Sequence, residues 1–145
     1  MALLAEEIVE EWLNRQGYFT IRGIKIGVQE IDLLAVKALH SGCVECRHIE
    51  VQASMRPVSY ISAVPKKTAL MQSLWNTNWS SELVINSIKS EEEVALIKGH
   101  GINILRLKDI ISSFAHEPFT VPSASSADFI DLIHIGSDTK PAIVK

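Results

Sequence analysis

No uninterrupted apolar run of about 18 residues occurs in the chain, so nothing in it reads as a membrane span. The opening residues, MALLAEEIVEEW, have no basic stretch ahead of their apolar ones and carry four glutamates. That pattern is not a secretory signal, and a cytoplasmic location is expected. Only two cysteines occur in 145 residues, too few for a disulfide framework and suited to a reducing compartment. No internal repeat is visible, which excludes solenoids and propellers. The one biased stretch is VPSASSAD, after Pro118. What is present is ordinary for a folded chain: 47% apolar and 21% charged residues, a balance that excludes wholesale disorder in a chain sized for one domain.

The net charge of −3 at first disfavours a nucleic-acid partner, but the charge is unevenly spread. Glu6, Glu7, Glu10 and Glu11 make the first eleven residues acidic. Residues 12–81 carry eight Lys and Arg against four acids, and residues 82–145 carry six against nine. A basic middle between acidic ends is compatible with a polyanion footprint.

Residues 3–16 predict an amphipathic helix, with Leu4, Ala5, Ile8, Val9, Trp12 and Leu13 on one face, the glutamates on the other and Gly17 as its stop. Tyr18–Lys25, Glu30–Lys37 and Val44–Ser54 read as three strands joined by short turns, which implies an antiparallel meander. Residues 55–64 read as a loop and Lys66–Trp75 as a helix with Ala69, Leu70, Leu74 and Met71 inward. Glu82–Ile88 reads as a strand. Ser90 with Glu93 makes a capping box for a helix ending near Gly101. Ile102–Leu107 is a buried-type strand, Lys108–Phe114 a helix, and Asp128–Ile135 a last amphipathic stretch. The step from 82–88 to 102–107 is expected to be a parallel crossover. The fold class is α/β, a mixed sheet with helices on both faces.

Acids inside strands carry the chemical signal. Asp suits a strand interior poorly, yet Asp32 sits between Ile31 and Leu33, and Glu50 between Ile49 and Val51. Alternation puts Glu50, Gln52 and Ser54 on one face. If the second and third strands pair, Asp32 approaches Glu50, and the two carboxylates raise each other's pKa unless a cation lies between them. Hard oxygen ligands, with the Val51 backbone carbonyl added, suit Mg²⁺ or Mn²⁺. The other reading of the same pattern is a solvent-facing strand surface that happens to be acidic.

Glu6, Gly17-Tyr18, Glu30-Ile31-Asp32-Leu33-Leu34-Ala35-Val36 and Ile49-Glu50-Val51-Gln52 together resemble the PD-(D/E)xK nuclease superfamily, in the branch of Holliday-junction resolvases and RecB-type nuclease domains. The resemblance covers residues 1–54 and implies a restriction-endonuclease-like αβββαβ core over residues 1–116. Residues 117–145 are then a C-terminal extension, part of the same domain or a dimer contact. The resemblance further implies a metal-dependent endonuclease that hydrolyses DNA phosphodiester bonds. Asp32, Glu50, the Val51 carbonyl and Glu6 would hold Mg²⁺ or Mn²⁺, with Glu7 the alternative to Glu6. Gln52 stands where the superfamily usually has lysine. An amide orients water but supplies no charge to the transition state. Arg56, Lys66 or Lys67 could supply that cation from elsewhere, and a nuclease fold that binds nucleic acid or a protein without turnover stays the alternative.

Arg56, Lys66 and Lys67 suit phosphate and Tyr60 suits base stacking, against the plainer reading of solvated side chains around a turn. A homodimer is expected, since a small nuclease must grip two backbone segments. Cys43-x-x-Cys46 with His40 and His48 makes half of a zinc motif with no second cysteine pair, so two reduced cysteines near a turn are the favoured reading.

Overall fold

The computed structural model describes residues 2–54, 63–74 and 78–116. Its elements run α1 (Ala2–Arg15), β1 (Phe19–Ile26), β2 (Gln29–Ala38), β3 (Val44–Gln52), α2 (Ala63–Leu74), β4 (Trp79–Ile85), α3 (Glu91–Gly99), β5 (Ile102–Arg106) and α4 (Leu107–Ala115).

The apolar stripe of α1 forms as the periodicity requires: Ala5, Ile8, Val9 and Leu13 are all buried. Glu11, expected on the solvated face, is buried as well, because Arg15 one turn on binds its carboxylate at 2.9 Å. Gly17 ends the helix at φ 89°, and the Tyr18 N–H returns to the Leu13 carbonyl at 3.1 Å, the bond pattern that a left-handed glycine permits.

The five strands lie in chain order, β1-β2-β3-β4-β5. The first three pair antiparallel; β3–β4 and β4–β5 are parallel, with α2 and α3 as the crossovers. The meander and the crossover expected from the sequence are both present. Helices cover both faces. On one, α1 and α4 pack on Leu33, Ala35, Ile49, Val51 and Val84. On the other, Val64 of α2 and Ile97 of α3 meet Leu83, Ile85 and Ile102, and Met71 meets Ile31, Leu34, Cys46 and Trp79.

Three expectations about elements need correction. Helix α2 begins at Ala63, not Lys66; Pro65 falls in its first turn, where a missing N–H costs nothing. Its buried stripe passes through Val64 and Met71 while Ala69 is exposed, so Lys67, three residues after Val64, turns toward the sheet. Strand β4 begins at Trp79 and ends at Ile85, three residues early at each end. The Ser90 hydroxyl caps α3 by accepting the Glu93 N–H at 3.4 Å, but Glu93 does not complete the box: its Oε2 is buried without a hydrogen-bond partner.

No helix among the described residues is long and apolar enough to cross a membrane.

Candidate active site

The site forms where a ladder stops. Strands β2 and β3 pair from Ala38↔Val44 to Leu33↔Ile49, and both continue past that point without pairing. The next opposed residues are Asp32 and Glu50. The Val51 N–H, which has lost its strand partner, donates instead to Asp32 Oδ2 at 2.8 Å. A side chain thus takes the place of a backbone acceptor, which is a physical reason for an aspartate inside this strand.

Alternation along β3 sends Arg47, Ile49 and Val51 toward α1 and α4, and Cys46, His48 and Glu50 toward α2. Glu50 is fully buried, so the reading of a solvated acidic strand does not hold for it. Each of its oxygens has a partner: His48 Nε2 lies 2.9 Å from Oε1, and Lys67 Nζ of α2 donates to Oε2 at 2.7 Å. The Asp32 carboxyl also hydrogen-bonds Glu50. Burial and the negative charge of Glu50 push the Asp32 pKa up to about 7, against the smaller opposing effects of the Val51 N–H and Lys67. Burial alone would raise Glu50 too, but hydrogen bonds from His48, Lys67 and Asp32 outweigh it and hold its pKa below the ordinary value. The pair is polarised: Asp32 keeps a proton near neutrality and Glu50 is the anion.

Glu6 lies within electrostatic reach of Glu50. Its half-buried carboxyl is raised by desolvation, against the lowering effect of Arg22, and then by Glu30, Glu50 and Glu7. Gln52 is half-buried on the Glu50 side of β3, and Val51 enters the site through its N–H. Lys66 is exposed, whereas Lys67 turns inward to Glu50. Arg56 and Tyr60 lie outside the described residues, as do Trp75 and the 128–135 stretch. Among the described residues, no three His, Cys, Asp or Glu side chains are grouped closely enough to hold a metal by themselves. Cys43 is exposed and Cys46 buried; both are free.

Sequence reasoning weighed His48 only as part of a zinc half-motif, not as a partner of Glu50, and missed Ser81 altogether. His48 shares the strand face of Glu50 two residues away, a signal that alternation does contain. Ser81, whose Oγ lies 3.3 Å from His48 Nδ1, is brought there only by the parallel register His48↔Ser81, which no local pattern encodes.

The crystal structure of AF1548, a protein of unknown function, superposes on 92% of this chain and 78% of its own, with a TM-score of 0.57 and 19% identity. A repair endonuclease from Pyrococcus abyssi matches 69% of this chain and 43% of its own, with a TM-score of 0.51 and 18% identity. The fold is restriction-endonuclease-like. The MspJI restriction endonuclease in complex with a 27-mer oligonucleotide matches 99% of this chain and 33% of its own, at a TM-score of 0.48 and 15% identity. No family model and no curated protein matches the sequence. Within the restriction-endonuclease-like fold of this chain, Asp32 and Glu50 stand where the meander gives way to the parallel half of the sheet.

Proposed function

We propose that this protein is a metal-dependent nuclease that hydrolyses DNA phosphodiester bonds. The observation that carries the reading is the Asp32–Glu50 pair: two hydrogen-bonded carboxyls, one fully buried, at the unpaired end of a ladder. Two carboxylates and the Val51 carbonyl form the hard-oxygen set that Mg²⁺ or Mn²⁺ prefers, and the raised Asp32 pKa marks a place where added positive charge is favourable. Asp32, Glu50 and Val51 would hold the ion, with Glu6 at the edge of the site. A divalent ion bound there supplies Lewis acidity toward a phosphoryl oxygen.

The protein's own side chains have separable roles. Gln52 orients the attacking water through its amide. Lys67 contributes the positive charge that Gln52 lacks, which offsets the negative charge growing on phosphorus. Lys66, Arg56 and Tyr60 contact the DNA, and a homodimer presents two such sites to two backbone segments. Incubation with branched, single-stranded and duplex DNA in Mg²⁺ or Mn²⁺ tests the reading. Cleavage is expected from the parent and none from Asp32→Ala or Glu50→Ala; cleavage that survives either substitution removes the assignment.

A second reading has its own observation. Lys67 already neutralises Glu50, and Gln52 is uncharged, a combination compatible with a nuclease fold that binds nucleic acid without turnover. Calorimetry separates the two: no heat with millimolar Mn²⁺, together with DNA affinity that falls steeply with salt, selects the binding module.

A further inference from the structure

A histidine with no exposed surface in the middle of a sheet needs an explanation, since Leu or Phe would fill the space without desolvating two ring nitrogens. The explanation lies in its neighbours. His48 Nδ1 faces the Ser81 hydroxyl of β4, the adjacent parallel strand, and Nε2 faces Oε1 of Glu50. All three side chains are buried. A carboxylate only accepts, so Nε2 carries a proton, and in the neutral ring Nδ1 accepts from Ser81. The Ser81–His48–Glu50 chain is therefore satisfied internally, and it ties the site to the central strand β3 and its neighbour β4.

We propose that His48, anchored on Ser81, is a positioning residue for the candidate metal site. It commits one oxygen of Glu50 to the scaffold and fixes the carboxylate plane, so that Oε2 is the oxygen offered to a cation. A glutamate has three rotatable bonds, and ordering them in advance removes an entropic cost from ligand binding. Lys67, which reaches Oε2 from helix α2, is the exchangeable partner; His48, in the same strand as Glu50, is the permanent one.

The inference rests on the metal-site reading, and the experiment keeps their failures apart. Mn²⁺ affinity is measured by calorimetry on the parent, His48→Leu, His48→Gln and Ser81→Ala, each first checked for folding by circular dichroism. His48→Leu is expected to weaken binding about 10- to 100-fold, as the loss of an outer hydrogen-bond partner does in metalloproteins. His48→Gln, whose amide nitrogen can reach Glu50 as Nε2 does, is expected to recover most of that loss. Ser81→Ala is expected to weaken binding by about threefold or more. A folded His48→Leu that binds Mn²⁺ like the parent overturns the positioning role and leaves the site standing. Should His48→Leu not fold, parent-like affinity in Ser81→Ala overturns it equally. Absence of Mn²⁺ binding by the parent overturns the metal site and this inference together.

Discussion

Asp32 concentrates the pH behaviour of the molecule. Its pKa rises on folding from 3.8 to about 7, so its favourable contribution is complete below about pH 4 and is lost as pH climbs through 7. Asp32→Asn retains an oxygen for the Val51 N–H and gains a donor toward Glu50 while never ionising. At pH 8 this variant is expected to be more stable than the parent by on the order of 2–4 kcal/mol, with the difference vanishing near pH 4. Urea midpoints at pH 4, 6 and 8 check it; a constant difference across that range contradicts the raised pKa. Lys67→Met acts in the opposite sense. It leaves a buried anion without its ammonium partner, held by the His48 hydrogen bond, and is expected to cost about 3 kcal/mol at neutral pH. Adding Glu50→Gln to Lys67→Met should return part of that loss, a coupling that a double-mutant cycle reads directly. Of these residues, Asp32 and Glu50 were legible because acids inside strands contradict propensity. Lys67 was one of three candidate cations with Arg56 and Lys66; that Lys67 rather than Lys66 turns to Glu50 was not legible, since its direction depends on where α2 starts, and Pro65 hid that start.

At the scale of elements, legibility followed periodicity. Helix α1, the meander and the β4–α3–β5 crossover were readable because one apolar stripe or one alternating run decides each of them. Strand β4 was started three residues late for a physical reason: Ser80-Ser81 ahead of Glu82 is polar, yet Ser81 and Glu82 are buried against polar partners of β3, His48 and Arg47. A central strand that pairs polar with polar looks like a loop until the neighbouring strand is known. The half-made capping box of α3 gives a smaller prediction. Only the Ser90 bond is present, it is long, and it is exposed, so Ser90→Ala is expected to lower stability by about 0.5–1 kcal/mol, at the low end for a cap. Thermal unfolding checks it, and a loss of several kcal/mol would show that Glu93 also contributes. Because its Oε2 makes no bond, Glu93→Ala should cost less than Ser90→Ala.

Across the whole molecule, the sheet acts as a wall between two polar systems of different purpose. On the α2 side stands the Asp32–Glu50–Lys67–His48 group. On the α1 side, Arg47 grips Glu82 through three hydrogen bonds of 2.6 to 3.1 Å, and its guanidinium stacks over Trp12 and Tyr18 at 5.3 and 5.1 Å. Adjacent residues of β3 feed the two systems, Arg47 one and His48 the other, because successive side chains leave a strand on opposite faces. The Arg47–Glu82 pair links β3 to β4 without touching the candidate site. It therefore separates stability from function. Glu82→Gln leaves a buried guanidinium with a neutral partner and is expected to cost roughly 3 kcal/mol in unfolding free energy, while Mn²⁺ affinity of the folded protein stays within about twofold of the parent. Lys67→Met should do the reverse in the second measurement: removing the ammonium from Oε2 of Glu50 alters Mn²⁺ affinity in a chain that is still folded. Equal shifts in metal affinity from Glu82→Gln and Lys67→Met would mean that the wall transmits strain from one face to the other, and that the two polar systems are one.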